Sequence, residues 1–143
     1  MSAMLAAIAD AVVAKLNAAN FMQEFTAVRT WQPAFELKDM QTLKVTVVPH
    51  SRETEKLSRS AQISTCQVDV AVQKKLDKAD NDEIDALVAL VAEIEALFAF
   101  CELPGPPKAV WVKTENKPVV AQEHLAELRQ FTSVVTLTFK VLP

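Results

Sequence analysis

Near its start the chain carries apolar side chains at steps of three and four residues, the spacing of one face of an α-helix. These side chains are Met4, Leu5, Ile8, Val12 and Leu16. Lys15 and Asn17 lie off this stripe, and Asp10 interrupts the apolar run with no basic region before it, which is untypical of a signal peptide. The pattern therefore predicts an amphipathic helix over residues 2–19.

A second apolar stripe predicts the main helix of the chain. Its members are Ile84, Leu87, Val88, Val91, Ile94 and Phe98. Asp80 and Glu83 have the spacing of a capping box, in which the first side chain accepts from an early helical N–H and the second reaches back. The helix is therefore expected to begin near Asp80 and to stop at the Pro-Gly-Pro-Pro run of residues 104–107.

Alternation of polar and apolar residues predicts strands between the two helices. The alternating stretches are residues 21–31, ending near Pro33, then residues 42–48 and residues 63–75. Pro49 is expected to close the second strand, because proline cannot donate a hydrogen bond to a ladder. The third strand has one apolar face, which consists of Cys66, Val68, Val70 and Val72. Such a strand packs one face on a core and leaves the other in water.

Two more strands are expected after the second helix, because residues 109–113 and 131–142 also alternate. The apolar face of the last strand consists of Val135, Leu137, Phe139 and Val141. The polar residues 114–118 are expected to form a turn, and residues 120–130 a short helical turn.

The segment between the second and third strands, residues 50–60, carries charges of both signs and no apolar periodicity. Its charged residues are Arg52, Glu53, Glu55, Lys56 and Arg59. One interpretation is a solvated connection, in the form of a long, mobile β-hairpin arm or loop. The alternative is an intersubunit arm, because both signs in one short segment suit pairing with an identical or neighbouring subunit.

The order of these elements predicts the fold class. Because strands and helices do not alternate strictly, an α+β fold is expected: a mostly antiparallel or mixed β-sheet packed by two main α-helices, with an extended charged loop or hairpin arm. Residues 1–143 are expected to form a single domain. A chain of this length with half of its residues hydrophobic can build one core without metals or disulfides.

Composition argues against several kinds of ligand. Gly105 is the single glycine, whereas phosphate-binding and dinucleotide-binding loops need several, so both are excluded. The net charge of −3 argues against nucleic-acid binding through the overall field. Cys66 and Cys101 have no zinc or redox spacing and are expected to be buried. No apolar stretch approaches the ~18 residues of a membrane span, so a soluble protein made in a cytoplasm is expected.

No catalytic site, metal site or cofactor is predicted. His50 and His124 have no partner at metal-ligand spacing and are interpreted as surface histidines. Ser51 follows His50 in the charged segment, which is expected to be too flexible to hold a nucleophile against its base. Trp31 and Trp111 lack the interleaved Lys and Arg of a base-stacking platform, so core or subunit contact is favoured. An enzyme is the least favoured class of function.

Four segments follow one another in a distinctive layout. A helix ending in LNAANF precedes FTAVRTW, a strand with aromatic and basic residues. LKVTVVPHSRETEKLSRS contains a strand ending in VVP and a polar connection. CQVDVAVQKKLDKADNDEIDALVALVAEIEALF joins a long strand to an acid-capped helix, and SVVTLTFKV is a final strand. Over most of the chain this layout resembles the tail-terminator and related neck or tail-completion proteins of long-tailed bacteriophages, without a diagnostic motif.

The resemblance implies a structural virion protein without a catalytic site. Such proteins form a ring, typically of six subunits, that caps the tail tube, stops its polymerisation and presents a surface to the head–tail connector. The implied partners are other copies of the chain, the tail tube protein and the connector protein, with DNA only as passing cargo and no membrane. The implied location is the tail or neck of a virion assembled in the host cytoplasm.

Two alternatives remain at this point: a neck or head–tail joining protein next to the terminator position, and a monomeric adaptor module unrelated to phages. For an assembly protein, the two tryptophans, Arg29 near the first of them and the charged segment are expected to contact another subunit or the tube. These candidate residues are Arg29, Trp31, Arg52, Glu53, Glu55, Lys56, Arg59 and Trp111.

Overall fold

The computed structural model describes residues 4–31, 43–78, 80–103, 108–116 and 119–141. Along them the elements are α1 (Met4–Ala18), β1 (Ala27–Arg29), β2 (Lys44–Lys56), β3 (Gln62–Lys75), α2 (Asn81–Phe98), β4 (Glu102–Leu103), β5 (Ala109–Glu115), α3 (Gln122–Leu128) and β6 (Gln130–Val141). The described strands form a six-stranded sheet in the order β1-β2-β3-β6-β5-β4, in which β1 and β2 run parallel and the other neighbours antiparallel. The predicted α+β fold with a mixed, mostly antiparallel sheet is confirmed.

Strand β3 is the centre of this sheet. It pairs over nearly its whole length with β2 on one side and β6 on the other. The predicted apolar face of β3 is fully buried and lies opposite the buried face of β6. These pairs are Cys66 with Phe139, Val68 with Leu137, and Val70 with Val135. They belong to one hydrophobic cluster that also includes the buried faces of α1 and α2.

Helix α1 is fixed to the edge of the sheet by polar contacts. The Asn17 side chain accepts from the backbone N–H of Ala27 at 2.8 Å and donates to the Ala27 carbonyl at 3.2 Å. About two turns earlier on the helix, Asp10 Oδ1 accepts from Arg29 Nε at 2.6 Å. Because these contacts lie at both ends of β1, they orient that short strand along α1 as well as along β2.

The first predicted strand, residues 21–31, is much shorter in the structure, where β1 covers Ala27–Arg29. The residues before β1 follow the surface of α2 instead of a strand. The backbone N–H of Met22 donates to the Glu93 carboxylate at 3.3 Å, for example. This connection alternates because one side of it faces α2 and the other faces water. The sequence pattern alone therefore could not distinguish it from a strand. The expected end near Pro33 lies outside the described residues.

The prediction that Pro49 closes the second strand is wrong. The ladder with β3 continues to Lys56, and its register shifts between Pro49 and Ser51, which leaves His50 as the extra residue of a β-bulge. A bulge interrupts the ladder locally, so the missing N–H of proline is tolerated there. The strands join through residues 57–61, and the charged segment is therefore a hairpin arm, as expected.

The start of α2 is confirmed, whereas its predicted end is too late. Asp80 is the N-cap and accepts from the Glu83 N–H at 2.9 Å, while the Glu83 carboxylate reaches back to the N–H of Asp77 at 3.0 Å. The helix ends at Phe98, before the prolines of residues 104–107. The chain then turns sharply and enters the two-residue strand β4, which is too short to give an alternating pattern.

The elements after residue 108 follow the prediction closely. Strand β5 extends to Glu115, into the expected turn, and α3 falls inside the predicted helical turn. Strand β6 covers Gln130–Val141, with its predicted apolar face buried.

Replacing Leu137 by alanine is expected to destabilise the protein by about 2–5 kcal/mol, because the side chain is fully buried between β3 and the helices and its loss leaves a cavity. Leu57→Ala is the matched control: this leucine is 55% exposed at the hairpin turn, and the change should stay within about 0.5 kcal/mol. Urea unfolding followed by circular dichroism measures both. Equal losses would contradict the assignment of Leu137 to the core.

Candidate assembly surfaces

Two of the candidate interface residues lie together at the β1 edge of the sheet. The Arg29 guanidinium carbon is 5.7 Å from the centroid of the Trp31 ring, within cation–π range, while its Nε donates to Asp10. Trp31 is 60% exposed and Val28 is 57% exposed. We call Val28, Arg29 and Trp31 the β1 patch. It presents an aromatic surface whose neighbouring charge is already paired within the chain.

The hairpin arm carries the other charged candidates, all of them exposed. They are Arg52, Glu53, Glu55 and Lys56 on β2 and Arg59 in the turn. Among the residues that the structure describes, none of these five side chains forms an ion pair. The arm thus presents unpaired charges of both signs to the surroundings.

The bulge at His50 sorts the strand charges of the arm onto two faces. Beyond it, Arg52 lies opposite Cys66, which is a core-facing residue of β3. Directly opposed residues of an antiparallel ladder share a face, and alternate residues of one strand share it too. Arg52 and Lys56 therefore lie on the helix side of the sheet, whereas Glu53 and Glu55 lie on the opposite side.

Trp111 lies near the other edge of the sheet, away from the β1 patch. Its ring centroid is 5.1 Å from that of Phe100, and its indole Nε1 donates to Thr114 Oγ1 at 2.8 Å. Its backbone N–H donates to the Cys101 carbonyl at 3.1 Å. Trp111 is half-buried, so the structure brings the eight candidate residues together in three places and not in one.

Phe100 was missed by the sequence analysis. It is 91% exposed and has a φ of 60°, in the left-handed region that favours glycine. A signal exists in the sequence: Phe100 is two residues after Phe98 and so falls off the apolar stripe of α2, on the side where polar residues are expected. We call Phe100 and Trp111 the aromatic pair.

His50 and Ser51 do not form a catalytic pair, and both residues lie in β2. His50 Nδ1 is 2.8 Å from Asp69 Oδ2, whose other oxygen accepts from Thr136 Oγ1 at 2.7 Å. Ser51 Oγ instead donates to Gln67 at 2.9 Å. The two side chains therefore have separate partners, and the His50 side chain is half exposed, as expected of a surface histidine.

The described residues offer few groups that could bind a ligand or a metal ion. A depression of about 500 Å³ lies beside the end of α1, and among the described residues lining it Glu24 alone is ionisable. Within the described part of the chain, no three His, Cys, Asp or Glu side chains are grouped as metal ligands would be. Nor do the described helices include one with the length and apolar character needed to cross a membrane.

The cysteines differ in environment. Cys66 is buried as expected, but Cys101 is only partly buried at the end of α2. Burial raises the pKa of both thiols, an effect partly opposed by the charge of Arg52 at Cys66 and of Lys15 at Cys101. Both side chains therefore remain thiols at neutral pH, and Cys66 behaves as part of the core.

The described chain thus defines an α+β protein with two exposed aromatic surfaces and a charged hairpin arm. A search of solved structures finds the same fold in a chain of the structure described as "Virion of native gene transfer agent (GTA) particle". The TM-score is 0.59 at 12% sequence identity, and the match covers 99% of this chain and 100% of that chain. At this identity the match shows a shared fold. No protein-family model matches the sequence, and no curated protein does.

Phe100→Gly is expected to change stability by less than about 1 kcal/mol. Relief of left-handed strain, about 1–2 kcal/mol, offsets the lost ring contact with Trp111, about 0.5–1.5 kcal/mol. Phe98→Ala, two residues earlier and fully buried, should cost about 3–5 kcal/mol. Urea unfolding compares the two. A loss above about 2 kcal/mol for Phe100→Gly would mean that this ring stabilises the folded chain and is not a surface free to contact a partner.

Thiol titration with an aromatic disulfide reagent at pH 8 should label Cys101 before Cys66 in the native protein. Burial raises the pKa of both thiols, so the difference comes from access: Cys66 is buried, while Cys101 is partly exposed. Both should react rapidly in denaturant. Raising the pH should speed labelling of Cys101 first. Equal native rates would contradict the burial of Cys66.

Proposed function

We propose that the chain is a structural component of a phage-like virion, and that it acts as a terminator ring at the end of a tail tube. The observation that supports this most is the fold match to a chain of a gene transfer agent virion over 99% of this chain and 100% of the other. We further propose that residues 1–143 act as a single domain.

The proposed ring consists of about six copies in head-to-tail contact, the number that the resemblance to tail terminators implies. Contacts of this kind use two different surfaces of each copy and close into a ring when the rotation suits it. The β1 patch and the aromatic pair lie toward opposite edges of the described sheet, which supports such an arrangement. Exposed aromatic side chains are the residues that most often carry the energy of an interface.

One face of the ring would contact the tail tube protein and the other the head–tail connector protein. DNA would pass through the lumen as cargo, and a chain with a net charge of −3 would let it slide. The ring would assemble in the host cytoplasm and remain in the tail or neck of the virion. The function consists of contacts alone and requires no catalytic residue, metal or cofactor from the chain.

Deletion of the gene from its parent genome tests this proposal. After particle production is induced, tail lengths are measured by negative-stain electron microscopy. We expect overlong tails of irregular length without heads, because an uncapped tube continues to polymerise. Complementation with the unmodified gene should restore tails of uniform length.

Other outcomes would overturn the terminator role. Tails of normal length without heads would instead identify a neck or head–tail joining protein. Infectious particles unchanged by the deletion, or a parent that makes no particles, would exclude virion assembly and leave a monomeric adaptor as the better description.

A further inference from the structure

The hairpin arm has a cationic face that forms no ion pair with the described part of the chain. Arg52 and Lys56 share the helix side of the sheet and are exposed. The charge of Arg52 also acts on the Cys66 thiol, which agrees with their common face. Arg52 and Lys56 are about 13 Å apart along the strand, and because their side chains are long, the two cations can converge on an acidic surface narrower than that span.

Helix α2 offers such a surface. It contains five acidic residues and no Lys or Arg, and its exposed side presents Asp82 and Asp85. The next exposed positions on this side, Ala86 and Ala89, are small enough to let another backbone approach. Glu83 and Glu93 are already engaged within the chain, by Lys74 and by Met22 respectively. Glu95 is half-buried, so Asp82 and Asp85 are the exposed carboxylates of α2.

The two surfaces cannot meet within one chain. Lys56 is paired with Gln62 at one end of β3, whereas Lys74 at the other end lies 3.9 Å from Glu83 at the start of α2. The 12 steps from Gln62 to Lys74, at about 3.3 Å each, separate them by roughly 40 Å. Opposite charges at opposite ends of the molecule favour contact between copies.

We propose that the cationic face of the arm, Arg52 and Lys56, docks on Asp82 and Asp85 of α2 in the next copy of the chain. This deepens the proposed ring and rests on it, since it assigns the two surfaces of a head-to-tail contact. The contact is heterologous and each copy uses both surfaces once, so the series closes or continues with the same geometry at every step.

The second copy is a better partner than nucleic acid for two reasons. Glu53 and Glu55 lie in the same segment and would repel phosphates on the other side of the arm. The start of α2 also has Lys75 and Lys78 beside its acids, both exposed. Cations beside the acids reject a wrong register of Arg52 and Lys56 through like-charge contact, so this surface sets the register of the contact as well as its attraction.

Cross-linking between isotopically distinct copies tests the contact directly. Equal amounts of unlabelled and ¹⁵N-labelled full-length protein are mixed at millimolar concentration and low salt, and a carbodiimide joins amines to carboxylates that touch. Mass spectrometry should detect mixed-isotope peptide pairs that join Lys56 to Asp82 or Asp85. Their yield should fall as salt is added, because exposed charge pairs are screened.

Charge reversal provides the matched test. By sedimentation velocity, Arg52→Glu/Lys56→Glu and Asp82→Lys/Asp85→Lys should each weaken self-association at least tenfold. An equimolar mixture of the two variants should recover association, because one contact then has its charges exchanged and complementary. Glu53→Gln/Glu55→Gln, on the other face of the arm, is the control and should associate like the unmodified protein.

Two results would overturn the proposed contact: no mixed-isotope link from Lys56 to α2, or reversed variants that associate as well as the unmodified protein. Neither result would refute the ring, because other surfaces could join the copies. The ring is tested separately by the tail-length experiment. Conversely, mixed-isotope links in a protein whose gene deletion leaves tails normal would support the contact and refute the tail role.

Discussion

The register of β3 between β2 and β6 is the constraint on which the rest of the structure depends. A strand with a period of two exchanges its faces if the pairing slips by one residue, which would move Val68 and Val70 from the core to water. The buried cross-strand pairs with Leu137 and Val135 make that slip costly, and both helices pack against the same face. The long strands thus fix where every side chain of the arm points, although the arm itself contributes nothing to the core.

At the bulge at His50, the pairing of β2 with β3 shifts by one residue. The bulge accommodates Pro49 and moves the following residues by one position, so that the arm leaves the sheet with its cations on the helix side. The shift is held by side chains as well as by the backbone. His50 contacts Asp69 on β3, and Asp69 in turn accepts from Thr136 on β6, so one carboxylate ties three strands together. A histidine–carboxylate pair, which in another setting would suggest catalysis, here braces a bulge.

Sequence patterns predicted the elements whose burial is periodic. β3, β6, α1 and α2 each bury one face over many residues, and the alternation or the helical stripe records it. The errors occur where packing overrides the local pattern. Residues 21–26 alternate but follow α2, and Pro49 lacks an N–H yet sits in a bulge that does not need one. The exposure of the charged candidate residues could be predicted from the sequence. Their distribution onto two faces could not, because it depends on the bulge. The exposure of Phe100 could not be predicted either, because it depends on a left-handed backbone conformation that phenylalanine rarely adopts.

The three exposed surfaces differ in the kind of energy that they can supply, and this difference suits the proposed ring, which would form only at the end of a tube. Aromatic side chains such as Trp31 and the aromatic pair give affinity by burying apolar area, without regard to direction. The charges of the arm give little net affinity in water, but they act over about a Debye length and reject a wrong register through like-charge contact. Aromatic contacts alone would hold copies together in several arrangements, and charges alone would hold none of them firmly. With both, the proposed head-to-tail series is weak until the next copy is correctly oriented. If the copies align on a tube end, as proposed, that end would determine where the ring closes.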